Sequence, residues 1–191
     1  MPKLVSFMMT SLDGYFESPD RSIAWANLAD DFHEHSISQL NDIGTLLFGR
    51  VTYEGMVAYW TNAEAAEQLP AVARRMNDLP KVVFSSTLDS VHWSGTTLVR
   101  GPAADAVADL KDGGGSGELA IFGSSALTAH LLDAGLVDEV RLIVQPTLLG
   151  QGHTVFGGLT RAVDLHLLRT TAFASGNLLA CYQPTPRPAA A

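Results

Sequence analysis

The strongest constraint in this chain is a unit that recurs along it. A short apolar run ends in glycine or hydroxyl residues, and a segment with helical spacing follows. Thr45 to Phe48 is closed by Gly49 and followed by a helix from Thr52 to Tyr59. Glu118 to Phe122 is closed by Gly123 and Ser124 and followed by a helix from Ser125 to Ala134. Lys81 to Phe84 ends in Ser85-Ser86-Thr87. Apolar runs this short read as buried strands, and strands alternating with helices imply a mainly parallel sheet.

The rest of the chain extends the same plan. Lys3 to Met9 reads as a first strand, ended by the turn signal Leu12-Asp13-Gly14. Gly14 to Leu28 has no clear period and reads as a long loop, which makes it a functional suspect. Asn27 to Leu40 has helical spacing at Leu28, Phe32, Ile37 and Leu40, and Ala71 to Leu79 and Ala103 to Lys111 read as further helices. Thr97 to Val99 and Glu139 to Gln145 read as strands. Val163 to Phe173 and Leu178 to Tyr182 form a hairpin around Ser175-Gly176-Asn177, which adds an antiparallel edge. No internal repeat or linker divides the chain. The expectation is one α/β domain over 1–183, with the Pro/Ala-rich 184–191 as a fraying tail.

Charge and cysteine content remove several function classes. Of 191 residues, 12 are Lys or Arg and 20 Asp or Glu, a net −8. With no basic stripe to neutralise phosphates, nucleic acid is not an expected partner. No apolar run is long enough to span a bilayer, and the N-terminus lacks a signal-peptide pattern, so a cytoplasmic protein is expected. Cys181 is the only cysteine, which excludes disulfide frameworks and Cys-ligated zinc. His33 and His35, two apart on a helix, face different ways, so no metal site is expected. A nucleophile elbow of the G-x-S-x-G kind is absent.

Phosphate-binding loops follow a strand and open a helix, where free N–H groups and the helix dipole meet the anion. The run Gly113-Gly114-Gly115-Ser116-Gly117 follows a helix and precedes a strand, so it reads as a connector. Gly49 and Gly123 stand in the right order. Thr52, Ser124 and Ser125 supply hydroxyls at the helix starts, open to a second role as caps. Two such strand ends on one sheet, with Ser85-Ser86-Thr87 after a third, suit a ligand with several phosphates lying across the carboxyl edge. A dinucleotide fits.

These residues resemble a known family. Ser11-Leu12-Asp13-Gly14, Phe48-Gly49-Arg50-Val51-Thr52-Tyr53-Glu54, Lys81 to Leu88, Phe122-Gly123-Ser124-Ser125, Leu136 to Val140 and Pro146 to Gly152 occur in the order seen in dihydrofolate reductase-like proteins. The branch they resemble is the RibD C-terminal type, which includes the pyrimidine reductase of riboflavin biosynthesis. The resemblance implies a three-layer dihydrofolate reductase-like α/β fold with a mostly parallel sheet, NADPH as cofactor and a homodimer. It implies cofactor phosphates at Gly49, Arg50 and Thr52, at Ser85, Ser86 and Thr87, and at Gly123, Ser124 and Ser125. Arg50 would stand near a 2′-phosphate and Arg100 would border the adenine. The substrate would be a pyrimidine- or pterin-like heterocycle, most like 5-amino-6-(5-phosphoribosylamino)uracil.

Hydride transfer asks a protein for orientation, water exclusion and at most one proton donor. Asp13, at the end of the first strand, is one candidate donor or substrate anchor, with a turn role as its rival. Asp30 and Asp31 in the first helix are the others, and the Trp25–Asp30 spacing is similar to that of dihydrofolate reductases. Trp25 and Tyr53 are the aromatic candidates for holding a planar substrate. Where dihydrofolate reductases carry two glycines this chain has Gly123-Ser124, and no arginine matches the one that grips a folate tail. A different substrate, or a nucleotide-binding module without turnover, remain alternatives.

Overall fold

β1 (Leu4–Ser11) is buried almost along its whole length, with a strand on each edge and side chains packed in both apolar cores. The computed structural model describes residues 1–185. β6 (Glu118–Phe122) lies on one edge of β1 and β7 (Glu139–Gln145) on the other, both parallel to it. Outward from β6 follow β3 (Ile43–Gly49), β4 (Lys81–Phe84) and β5 (Thr96–Val99), all parallel. Outward from β7 follow β10 (Leu178–Thr185) and then β9 (Asp164–Ala172), paired antiparallel. The eight-stranded order is β5-β4-β3-β6-β1-β7-β10-β9.

Side-chain alternation along the strands sends apolar residues to both faces, and each face has its own helices. On one, Val5, Phe7, Phe48 and Phe122 meet Phe32 and Leu40 of α1 (Asp30–Asp42), Tyr53 of α2 (Arg50–Trp60) and Val72 and Met76 of α4 (Pro70–Asp78). On the other, Leu4, Leu47, Val82 and Ile121 meet Val107 of α5 (Ala103–Asp112) and Leu127 and Leu131 of α6 (Ser125–Asp133). The result is three layers, as expected. Among the described residues, no helix is long and apolar enough to cross a membrane.

Several boundaries differ from the sequence reading. The 14–28 segment contains β2 (Tyr15–Glu17), paired with the two-residue β8 (His153–Thr154). α1 begins at Asp30 rather than Asn27, because the backbone at Ala29 is extended (ψ 170°), and the Asn27 N–H is bound by Gln145 Oε1. A short α3 (Ala63–Gln68) precedes α4, its start capped by Asn62 and its end set by Pro70 at the first turn of α4. β10 continues through Pro184 and Thr185, paired with Leu165 and Asp164, where fraying was expected. The pairing of β10 with β7 ends at Tyr182, so the missing N–H of Pro184 breaks no ladder on that side. Residues 186–191 of the expected tail lie outside the described residues.

The glycine-rich connector has a packing reason. Gly117 adopts φ +80°, and a Cβ there would stand 2.6 Å from the Gly44 nitrogen. Two backbones touch at this point, at the end of the sheet opposite the crevice described next.

Candidate cofactor and substrate crevice

The strand order reverses beside β1. The chain runs from β1 past a gap to β3, on to β4 and β5, and returns as β6 to fill that gap. A crevice opens at the carboxyl ends of strands at such a reversal. It gathers the glycines and hydroxyls that the sequence placed after separate strands.

Gly49 precedes α2 and Ser124 precedes α6, and neither helix start is capped by a side chain. The hydroxyls bind across the crevice instead. Ser124 Oγ accepts the Gly49 N–H at 3.0 Å, and Thr52 Oγ1 donates to the Gly123 carbonyl at 3.0 Å. The two helix starts are therefore fastened side by side, with first-turn N–H groups free of side-chain acceptors. Gly123 sits at φ +61°, and a Cβ there would lie 3.4 Å from the Thr52 methyl, so glycine serves both the turn and the approach. The Ser125 hydroxyl is spent on the Val155 carbonyl at 2.8 Å, leaving its backbone as what it could offer an anion.

Ser85 follows β4, the strand beside β3. Its Oγ accepts the N–H groups of Thr87 and Leu88 at 3.2 and 2.9 Å, which shapes the turn and leaves Ser86 and Thr87 exposed. Arg50 is half-exposed and bonds Glu54 at 2.9 Å, a surface pair that holds the guanidinium loosely. A groove of about 530 Å³ between α2 and the 87–92 segment is lined by Arg50 and Thr87 among others. Arg100, expected at an adenine, donates to the Asp89 carbonyl at 3.0 Å.

The three candidate carboxylates separate sharply. Asp13 accepts from Ser11 Oγ at 2.6 Å and from the N–H groups of Leu149 and Gly150 at 3.1 and 2.7 Å. The Ser11 hydroxyl first, then the Gly150 N–H, hold its carboxyl down at about 2. Such a group holds no proton to give near neutral pH, so the donor reading of Asp13 is corrected. It is a clamp between the loops that follow β1 and β7. Asp30 lies exposed in the first turn of α1, a position the helix dipole favours. Asp31 points inward. Its Oδ2 accepts the Ser175 N–H at 2.9 Å, which holds the carboxyl below its ordinary value, while Oδ1 is buried without a partner.

The two aromatic candidates differ in what their polar atoms meet. The Trp25 indole N–H is buried and unpartnered, as is Asp31 Oδ1. Tyr53 is 4% exposed, and its hydroxyl accepts the N–H groups of His92 and Trp93, both at 3.1 Å. Its ring packs in the core beside Trp93. Burial and spent hydrogen bonds make Tyr53 a structural tie, which corrects the substrate-wall reading.

The sequence reading passed over the residues that build the other wall. Asn27 Nδ2 donates to the Ser175 carbonyl and Asn177 Nδ2 to the Asn27 carbonyl, at 3.0 and 2.9 Å. These bonds pin the segment before α1 to the β9–β10 turn. The Ser-Gly-Asn turn was visible in the sequence, but its partner lies about 150 positions away. Glu17, on the small β2–β8 sheet, is nearly buried, with Oε1 3.2 Å from Arg21 Nη1 and 3.0 Å from His153 Nδ1.

Comparison with known proteins adds three findings. The RibD C-terminal domain model matches residues 2–179. The uncharacterized protein YyaP of Bacillus subtilis is 25% identical over 174 residues, which are 91% of this chain and 90% of that protein. Among solved structures, the Thermotoga maritima diaminohydroxyphosphoribosylaminopyrimidine deaminase/5-amino-6-(5-phosphoribosylamino)uracil reductase superposes with TM-score 0.69 at 15% identity. That match covers 96% of this chain and 57% of the Thermotoga protein, so the chain spans just over half its length. Enterococcus faecalis dihydrofolate reductase, complexed with NADP(H) and RAB-propyl, superposes with TM-score 0.63 at 16% identity over 96% and 97% of the two chains. The fold is dihydrofolate reductase-like.

Proposed function

The chain belongs to the RibD C-terminal domain family, and we propose that it is an NADPH-dependent reductase of a pyrimidine- or pterin-like heterocycle. The substrate we favour has the chemistry of 5-amino-6-(5-phosphoribosylamino)uracil. The observation that carries this reading is the pair of uncapped helix starts fastened together by Ser124 and Thr52. Side chains that would ordinarily cap a helix are turned aside, and two sets of free N–H groups with their positive dipole ends face one crevice.

Those residues suit a dinucleotide diphosphate. The backbone at Gly123, Ser124 and Ser125 and at Gly49 would hold the pyrophosphate, with Thr52 keeping the two loops in register. Arg50, Ser86 and Thr87 would hold the 2′-phosphate, where the forked donors of a guanidinium match phosphate oxygens. Bound NADPH would supply the hydride. On the substrate side, the free Oδ1 of Asp31 would accept an N–H of the heterocycle and the Trp25 indole N–H would donate to one of its carbonyls, since buried polar atoms without partners are costly until met. The hydrogen bonds of Asn27 and Asn177 would keep that wall in place and exclude water.

Titrating NADPH against the protein by calorimetry tests this. We expect saturable binding, preferred over NADH, and a loss of roughly tenfold or more in affinity on Arg50→Ala, the scale of one charge-assisted contact. Absence of saturable binding to either nucleotide would end the reading.

A further inference from the structure

Lys81 opens β4 and is only 1% exposed, yet the crevice chemistry leaves it without a role. All three of its ammonium protons are engaged. Nζ donates to the carbonyls of Asn77 at 2.8 Å, Leu79 at 2.6 Å and Ser94 at 3.3 Å. The first two carbonyls lie at the end of α4, and the third belongs to the segment between β4 and β5. Nζ also stands 4.5 Å from the centre of the Trp93 ring, within cation–π range. The Trp93 indole N–H donates to Asn77 Oδ1 at 2.6 Å, and Asn77 Nδ2 donates to the Trp60 and Ala73 carbonyls at 2.9 and 2.8 Å. One buried cation thus helps to join α4, the end of α2 and the 85–95 segment.

That segment walls the groove beside α2, through Thr87, Leu88, Ser90 and His92. It is neither strand nor helix, so side-chain ties shape it. Ser85 Oγ fixes its start. Its far end is fixed from beneath: by the Tyr53 hydroxyl on the His92 and Trp93 N–H groups, by Asn77 on the Trp93 indole, and by Lys81 on the Ser94 carbonyl. The Lys81 tie is the charged one. Burial pushes its ammonium down to about 8, against the opposing pull of Asp78. Nearby, His92 turns its ring to Ser90 Oγ at 3.1 Å, Arg75 donates to the Leu40 carbonyl at 2.7 Å, and the strand neighbours are Leu46 and Thr96. A neutral amine has two protons for three carbonyls. The bond to Ser94 is the longest of the three, so it is the one released, together with the attraction to Trp93.

We infer that Lys81 is a positioning residue for the nucleotide groove: from beneath, its ammonium holds the 87–95 segment in the shape that a bound nucleotide meets. The inference rests on the nucleotide reading above. A nucleotide that favours the held segment also tightens the lysine's grip on its proton, so affinity falls as pH rises through the Lys81 titration. Global stability moves the other way. A lysine depressed in the fold binds its proton less tightly than in the unfolded chain, where the ordinary value is about 10.4. Its contribution to stability therefore rises from about pH 8 to about pH 10.4, and a weakened groove in that range is not partial unfolding.

Calorimetric titration of NADPH from about pH 7 to about pH 9.5 tests it, on the wild type and on Lys81→Met. Wild-type affinity is expected to fall about tenfold across that range. Lys81→Met is expected to bind about tenfold more weakly at neutral pH and to be level with pH, since no proton is left to lose. If Lys81→Met fails to fold, the wild type still decides. The chain has three lysines, Lys3, Lys81 and Lys111, and labelling their ε-carbons lets NMR follow each one. Bound NADPH is expected to move the Lys81 titration upward by the factor that the affinity loses. Wild-type affinity that stays level with pH, a Lys81 titration that NADPH leaves in place, or a folded Lys81→Met with the wild-type pH profile would overturn the inference and leave the nucleotide reading standing. Absence of NADPH binding at every pH would overturn both.

Discussion

The two wings of the sheet are built differently. β3 and β4 are parallel and largely buried between helices on both faces, and β5 at the edge is partly covered. β7, β10 and β9 run outward from β1 into an antiparallel hairpin whose last strand is exposed on both faces. The first wing spends its apolar surface within the chain and leaves the helix start at its carboxyl edge without a side-chain cap. The second leaves apolar surface exposed, and lends its turn to the crevice through Ser175 and Asn177. One wing is finished by the chain's own helices and the other is not.

Truncating one large side chain in each wing should give the largest contrast. Phe48 is fully buried and stacks on Trp93 with ring centroids 6.0 Å apart. Phe48→Ala is expected to cost about 3–5 kcal/mol, lost transfer energy plus the cavity left behind. Leu168→Ala, at the exposed bulge of β9, is expected to cost at most about 0.5 kcal/mol. Urea unfolding at one protein concentration measures both. Similar losses at the two positions would remove the distinction between the wings.

The same contrast governed what could be read from the sequence. The first wing is local: strand, glycine and helix follow one another, so Gly49, Gly123 and their hydroxyls were legible with their order. The second wing and the small β2–β8 sheet depend on distant partners. β2 pairs with β8 over only three and two residues, too short to show a period. Asp13 reads locally as a turn residue, and its clamp partners stand 136 and 137 positions away. Tyr53 has helical spacing and an aromatic ring whether it faces a substrate or the core. Only the N–H groups of His92 and Trp93 decide between them.

Tyr53 offers a sharper, smaller test within the finished wing. Tyr53→Phe keeps the ring but leaves two N–H groups without an acceptor, in a place where one of them is buried. The expected cost is about 1–3 kcal/mol of stability, the penalty for orphaned donors. With a purely structural role, substrate KM in the folded variant should be unchanged, while thermal and urea midpoints fall. A variant of wild-type stability with a raised KM would return Tyr53 to the substrate wall.

The smallest expected effect lies where the loops after β1 and β7 meet, at the join of the two wings. The Asp13 carboxyl sits at about 2, depressed by Ser11 Oγ, Gly150 N–H and Leu149 N–H. In the unfolded chain it would titrate near the ordinary aspartate value of about 3.9. A depressed folded value means that the unfolded chain binds the proton first as pH falls. Its stabilising contribution is therefore complete above about pH 4 and is lost progressively toward pH 2. Asp13→Asn keeps the shape, but its amide nitrogen cannot accept the N–H that one carboxylate oxygen accepted. Because the site is exposed, the effect should be local: faster hydrogen exchange at the Leu149 and Gly150 amides with little change in global midpoint. The difference between variant and wild type should shrink as pH drops toward 2, since protonation disables the same clamp. Unchanged exchange at both amides near neutral pH would mean that the loop after β7 is held by other contacts, such as the Leu12 N–H on the Thr147 carbonyl at 2.8 Å.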